Sequence, residues 1–337
     1  MFNKTSSIYD KKRQFSYYDN ICEFAYTTSV TDNHDRKLSL VKIEQGFYYN
    51  GGGHVSLKKK IAWVTDSTAL IPDHIMEEHD IYVVPLEIIF EDGTYEDGID
   101  LAPEELYQKI VQASYAPKTS QPSLGKFVML YERLKEEYEC AIAVHLSSDL
   151  SGTYNTSVTA AKMVDFPVEP VDSKLMSYPI TSIILNGIEQ AKEGKGYQEI
   201  AASLREEYKK FENYILVGSL DQFYKGGRMT GLQYFIGNLL QIKPIFQIKD
   251  GLFEVYEKVR TEGKAVRRML EQLENAKQNY SVKHVQILHG NVLEKALELK
   301  EKIQSKYSDV EVLVGPISST IGAHAGMGTL ALAWRNE

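Results

Sequence analysis

The sequence predicts an α/β protein with a mostly parallel-sheet N-terminal domain and a smaller α+β C-terminal domain. Three observations carry this. Short apolar runs of strand length alternate with amphipathic helical stretches over the first half of the regular region, as in a parallel sheet crossed by helices. In the second half that alternation is broken by a hairpin signal, Asp250-Gly251 between two β-rich runs. The chain is 337 residues long with 43% hydrophobic and 25% charged residues, enough apolar content for sizeable cores and outside the disordered and low-complexity classes.

Residues 1–57 fit neither pattern. Ten aromatics between Phe2 and Tyr49 are scattered among polar residues with no sustained period of 2 or 3.6, and no apolar h-region marks a secretory signal. Regularity begins at Lys58. Residues 60–65 read as a buried strand, with Asp66-Ser67-Thr68 behind it as helix-capping residues and Pro72 as the first position of a helix ending near His79. Residues 81–90 form the next strand, with Glu91-Asp92-Gly93 as its turn. Helices follow over 103–113 and 123–138, the second carrying Phe127, Leu130, Tyr131 and Leu134 on one stripe. Residues 140–146 are apolar enough for a strand buried on both faces, and Ser151-Gly152-Thr153 opens the helix after it. A strand at 168–171 and a helix at 177–191, ended by Gly194, come next. The first domain is placed at 58–175. The second, 176–337, holds a strand at 215–218, the hairpin at 243–260, a strand at 285–288 with a helix over 293–307, and a strand at 310–314 leading to a glycine-rich end.

Charge and composition exclude several function classes. With 38 Lys and Arg against 46 Asp and Glu, the net charge is −8, and no basic run offers a nucleic-acid footprint. The longest apolar stretch, 81–90, is interrupted by Pro85 and Glu87 and falls short of the roughly 20 residues a membrane span needs. Cys22 and Cys140 make neither a metal-ligand spacing nor a disulfide framework, which points to a reducing cytoplasm and to no metal or resident cofactor.

Four clusters place hydroxyls or a lone imidazole beside small residues at element ends. Lys118-Thr119-Ser120-Gln121-Pro122-Ser123 precedes a helix, with Ser123 a ready cap. In Ser147 to Tyr154, a helix N-terminus, Gly152 and the Ser151 hydroxyl together suit an anion. In Ser219 to Arg228, glycines 226 and 227 set the guanidinium of Arg228 to meet a carboxylate or phosphate. In Ile321 to Gly328, glycine and alanine clear the space around His324, expected at the end of a strand.

At these clusters, together with Asp66-Ser67-Thr68, the sequence resembles the DegV family of bacterial fatty-acid-binding proteins, over about residues 58–334. The resemblance implies a long-chain fatty acid buried along the interface of the two domains. It implies that Thr119 and Ser151 hold the carboxylate, with Arg228 and His324 near the head group and Ser67, Ser120 and Gly152 beside them. It further implies a non-catalytic subunit: a separate ATP-binding fatty acid kinase subunit phosphorylates the presented carboxylate to an acyl phosphate for phospholipid synthesis, with transient membrane contact. Met327 stands where the family more often has proline, and Met229-Thr230 where Ile-Ser is commoner.

The rival reading is a serine hydrolase acting on acyl esters through Asp66, Ser151 and His324, although Ser151 lacks the Gly-x-Ser-x-Gly elbow. Gly194-Lys195-Gly196 is a weaker phosphate-binding candidate, without Walker spacing. Arg260, Arg267 and Arg268 are the basic cluster offered for the kinase partner. The resemblance begins near Lys58, just after Gly51-Gly52-Gly53, so residues 1–56 are read as upstream sequence translated in frame or a dispensable tail.

Overall fold

The computed structural model describes residues 26–31, 37–43, 46–50, 58–113, 116–228 and 242–337, and the chain divides into two compact units, 1–57 and 58–337. In the first unit, β1 (Tyr26–Thr31), β2 (Lys37–Ile43) and β3 (Gly46–Asn50) form an antiparallel meander. The sequence reading found no regular element there. The strand signal lies in the β-branched and hydroxyl residues of Tyr26–Thr31, which suit a pleated surface but are overshadowed by the scattered aromatics.

The second unit begins with β4 (Lys59–Asp66), α1 (Asp73–Glu78), β5 (Ile81–Val84), β6 (Glu87–Phe90), β7 (Gly93–Glu96), α2 (Pro103–Gln112) and β8 (Lys118–Ser120). It continues with α3 (Leu124–Glu137), β9 (Tyr138–His145), α4 (Thr153–Met163), β10 (Val168–Asp172), α5 (Tyr178–Lys192) and α6 (Tyr197–Leu204). Strands β10, β9, β4 and β5, in that order, make a fully parallel sheet. Its interior strand β9 is buried from Cys140 onward, as its unbroken apolar run requires. Ser123 caps α3 by accepting from the Lys126 N–H, and Phe127, Tyr131 and Leu134 of that helix are buried against the sheet.

After a short 3₁₀ turn come β11 (Phe211–Leu216), α7 (Leu220–Lys225), β12 (Lys243–Lys249), β13 (Leu252–Val259), α8 (Glu262–Asn279) and β14 (His284–His289), then α9 (Leu293–Lys306), β15 (Glu311–Pro316), α10 (Ser319–Ala325) and β16 (Leu330–Arg335). These strands form a mixed six-stranded sheet in the order β13-β12-β11-β16-β14-β15, with the C-terminal strand β16 inserted between β11 and β14. The parallel N-terminal sheet and mixed C-terminal sheet are the α/β architecture read from the sequence. One continuous core joins them: Trp63 and Ile142 from the first sheet share it with Phe246 and Leu288 from the second.

Three local readings are corrected. Residues 81–90 are two strands in different sheets, because Pro85 has no N–H for a ladder and the next free amide, Leu86, donates to the Ser67 hydroxyl at 3.0 Å. Strand β6 instead joins β7 and β8 in a small antiparallel sheet. Asp66-Ser67-Thr68 caps no helix: the Asp66 carboxylate accepts from the Thr68 amide at 3.1 Å and its hydroxyl at 2.5 Å, closing a local turn, and α1 starts only after Pro72. His324 belongs to the last turn of α10 and not to a strand end, since Ser318 caps that helix by accepting from the Ile321 N–H.

Candidate ligand-binding site

Four segments converge where the two sheets meet. Strand β8, paired with β6 so that Thr119 lies opposite Ile88, delivers Thr119, Ser120 and Gln121. The loop entering α4 delivers Leu150, Ser151 and Gly152. This loop is held by the hairpin predicted at Asp250-Gly251: with φ of 49° and 94°, these residues adopt the left-handed turn such a hairpin needs. The Gly251 carbonyl accepts from Ser147 Oγ at 2.8 Å, and a side chain at Gly251 would collide with Ser147 and Asp149. The third segment, following α7, brings Arg228, and α10 brings His324.

The polar geometry is specific. His324 Nε2 and Thr119 Oγ1 share a hydrogen bond of 2.8 Å, while His324 Nδ1 is buried without a partner. That nitrogen lies against Gly226, where any Cβ would overlap the ring. Arg228 Nη1 donates to the Gly226 carbonyl at 2.5 Å and Nε reaches the Leu150 carbonyl at 3.5 Å, so backbone acceptors orient the guanidinium. Ser151 Oγ lies 2.9 Å from Thr153 Oγ1 at the start of α4. Burial, reinforced by the Arg228 charge, lowers the pKa of His324 from 6.5 to about 4, so its imidazole is neutral at neutral pH. Burial also pulls Arg228 below its ordinary range, yet a guanidinium stays charged at pH 7.

These residues line a cavity in which Arg228 is the one side chain charged at neutral pH, among the described residues, and no Asp or Glu takes part. A second cavity is almost entirely apolar and shares Met176, Phe223, Phe253, Ile321 and Ala325 with the first. Its far wall is one residue thick: Leu175, Asn213 and Ile248 line both this chamber and an open surface groove. Asn213 pins that wall, donating from Nδ2 to the Ile248 carbonyl at 2.9 Å and accepting its N–H at 2.6 Å.

The structure brings together Thr119, Ser120, Ser151, Gly152, Arg228 and His324 on the first chamber. Ser67 is not among its lining residues. Its hydroxyl donates to Asp97 Oδ2 at 3.0 Å and accepts from Leu86, and the neighbouring Thr68 faces the chamber instead. Burial raises the Asp97 pKa, and its other oxygen accepts from the Ser319 N–H at the start of α10, tying Ser67 indirectly to the His324 helix. Thr68 and Gln121 are lining residues the sequence reading did not single out. Gln121 was within reach, since it adjoins Ser120 and lies against Gly152. Thr68 was not, because nothing in sequence tells its orientation from that of Ser67.

The hydrolase constellation is not assembled. Asp66 Oδ2 pairs with His145 Nδ1 at 3.2 Å, both fully buried, while His324 bonds Thr119 and Ser151 bonds Thr153. Gly194, with φ of 86°, is the exit of α5 and frames no phosphate loop. Arg268 of the basic cluster is tied to Glu257 at 2.7 Å and to Glu271. Met327 is exposed and lies beyond α10, so the helix and not that loop positions His324. Met229, Thr230 and Cys22 lie outside the described residues. Among the described residues, no helix is long and apolar enough to cross a membrane and no cluster of potential metal ligands occurs.

A family model described as an uncharacterised protein, DegV family, matches residues 60–337. Protein DegV of Bacillus subtilis is 36% identical over 276 residues, 81% of this chain and 98% of that protein. A DegV domain-containing protein of Listeria innocua is 35% identical over 280 residues, 82% of this chain and 99% of that protein. The crystal structure of Bacillus subtilis DegV, described as a fatty acid binding protein, is similar with a TM-score of 0.77 and 35% identity, covering 83% of this chain and all (100%) of that one. A DegV family protein from Thermus thermophilus, whose structure concerns fatty acid binding, is similar with a TM-score of 0.77 at 28% identity, covering 82% of this chain and 100% of that one.

Proposed function

The chain belongs to the DegV family, and from that premise we propose that it binds a long-chain fatty acid, with the carboxylate in the polar chamber and the tail in the apolar one. The observation that carries this is the pairing of two adjoining chambers that share five lining residues, one with hydroxyl donors and a single cation, the other almost wholly hydrocarbon. On this reading the sheets represent two domains, 58–175 and 176–337, with the ligand between them.

Tail burial dominates affinity. At about 0.8 kcal/mol per methylene, a saturated chain of about fifteen methylenes gains a gross ~12 kcal/mol, of which association and ordering remove a large part. The head-group donors then fix orientation. Thr119, Ser120 and Ser151 offer neutral hydroxyls and His324 a neutral ring, while Arg228, already bonded to backbone carbonyls, supplies charge without clamping both carboxylate oxygens.

That arrangement leaves a carboxylate oxygen free to attack a phosphoryl group. The protein would thus act as a non-catalytic carrier in the cytoplasm, presenting the acid to an ATP-binding kinase subunit that forms the acyl phosphate for phospholipid synthesis. Lipid extracted from the purified protein and weighed by mass spectrometry tests the first part: a fatty acid in near-stoichiometric amount is expected, and failure both to find one and to exchange one in refutes it. For the second part, Ser151→Ala is expected to lower affinity about tenfold through loss of a bond to a charged group and to slow acyl phosphate formation by the added kinase subunit. Unchanged head-group binding and turnover would refute the presentation role.

A further inference from the structure

Three polar side chains line the apolar chamber: Asn213, Thr329 and Ser177. Two are satisfied within the protein. Asn213 is bonded both ways to the Ile248 backbone, and Thr329 Oγ1 donates to carbonyls at the end of α10 and accepts the Gly218 N–H at 3.0 Å. Ser177 differs: its residue is 2% exposed and its Oγ has no hydrogen-bond partner.

Its backbone makes this more pointed. Ser177 stands at the N-cap of α5, where a serine ordinarily accepts from an amide of the first turn, but here it makes no side-chain cap bond. With φ of 63° and ψ of −147° it occupies a region that is essentially reserved for glycine. A hydroxyl at this position therefore carries backbone strain and an unpaired buried polar atom together, in a chamber otherwise built for hydrocarbon. Glycine would avoid both penalties.

We propose that Ser177 is a specificity residue, and that the chamber accepts an acyl chain bearing a hydroxyl along its length, paired with Ser177 Oγ. A hydroxyl is the matching chemistry because serine both donates and accepts, and a lone alcohol entering this chamber would otherwise be buried unpaired. The position along the chain follows from the neighbours. Ser177 comes directly after Met176, which lies where the two chambers meet, so the substituent belongs in the middle of the chain and not beside the carboxylate or at the methyl end. This deepens the fatty-acid reading and rests on it.

The test is competitive binding to the full chain of stearic acid and of monohydroxystearic acids with the hydroxyl near the carboxylate, mid-chain or next to the methyl end. The mid-chain isomer is expected to match or exceed stearic acid, with the other two about tenfold weaker or worse. In Ser177→Ala, the ratio of mid-chain hydroxy acid to stearic acid binding should fall about tenfold. Ser177→Gly should show the same loss of preference while raising the melting temperature, which separates the hydroxyl from the strain. Equal weakness of all three isomers in the wild-type protein, or an unchanged ratio in Ser177→Ala, overturns the inference and leaves fatty-acid binding standing. Failure of stearic acid itself to bind overturns both.

Discussion

Replacing His324 with glutamine should flatten the pH dependence of stability in a way that can be worked out from the site. Burial and the neighbouring Arg228 hold the imidazole at about 4 in the folded protein, against 6.5 for the free group. The unfolded chain therefore takes up a proton more readily than the native one, and stability falls as pH drops through the window from 6.5 to about 4. At pH 7 the folded imidazole is neutral and the unfolded one about three-quarters neutral, so the group contributes little. At pH 5 the unfolded imidazole is nearly all protonated and the folded one only about one part in ten, a difference of about 2 kcal/mol relative to pH 7. Urea unfolding of the wild-type protein and His324→Gln at both pH values measures it. Carboxylates, including Asp97 with its raised pKa, titrate in both proteins and cancel in the comparison. The wild type should lose about 2 kcal/mol more than the variant between pH 7 and pH 5; equal losses would refute the desolvated, Arg228-opposed imidazole. A bound carboxylate opposes the depression, so protein loaded with fatty acid should lose less than the empty form.

Gly226→Ala forces a methyl onto the His324 ring at a position whose own backbone would tolerate alanine, and overpacking of this kind costs about 1–3 kcal/mol. The melting temperature should drop by several degrees, and an unchanged melt would mean the ring is not held there. Leu175→Ala thins the wall between the apolar chamber and the outer groove, so competition across a series of saturated acids should shift toward longer chains; an unaltered optimum would place the end of the tail elsewhere. Cys140 is buried, its thiol donates to the Lys60 carbonyl, and burial pushes its pKa up to about 11. Alkylation of the Cys140 peptide, followed by mass spectrometry, should be negligible in native protein at pH 8 and rapid in urea, and fast native labelling would contradict the assigned burial.

Much of the scaffold was legible because its signals are local. The unbroken apolar run at β9, the stripe on α3 with Ser123 as its cap, and the Asp250-Gly251 turn each depend on residues a few positions apart. The errors arose where a tertiary partner decides. Residues 81–90 look like one strand until Leu86 is seen to give its amide to Ser67, and His324 sits in a short helix whose glycines and alanines carry little periodic signal. Strands β1 to β3 were missed because alternation there is weak and aromatics of both spacings are mixed in.

For the site, sequence alone supplied the residue types: hydroxyls beside glycine, one arginine, and one histidine cleared of bulky neighbours. Their company was decided by the fold. Thr119 and His324 stand 205 positions apart and meet only because β8 joins β6 and α10 packs over them. Asp66, which in sequence could have served His324, is taken by His145 from the neighbouring strand of the parallel sheet. Ser177 reads in sequence only as the start of a helix, and the backbone angle that turns it away from capping leaves its hydroxyl unpaired in the apolar chamber. Short-range chemistry is written in neighbouring residues; which groups share a cavity, and which are left without a partner, depends on contacts between segments far apart in the chain.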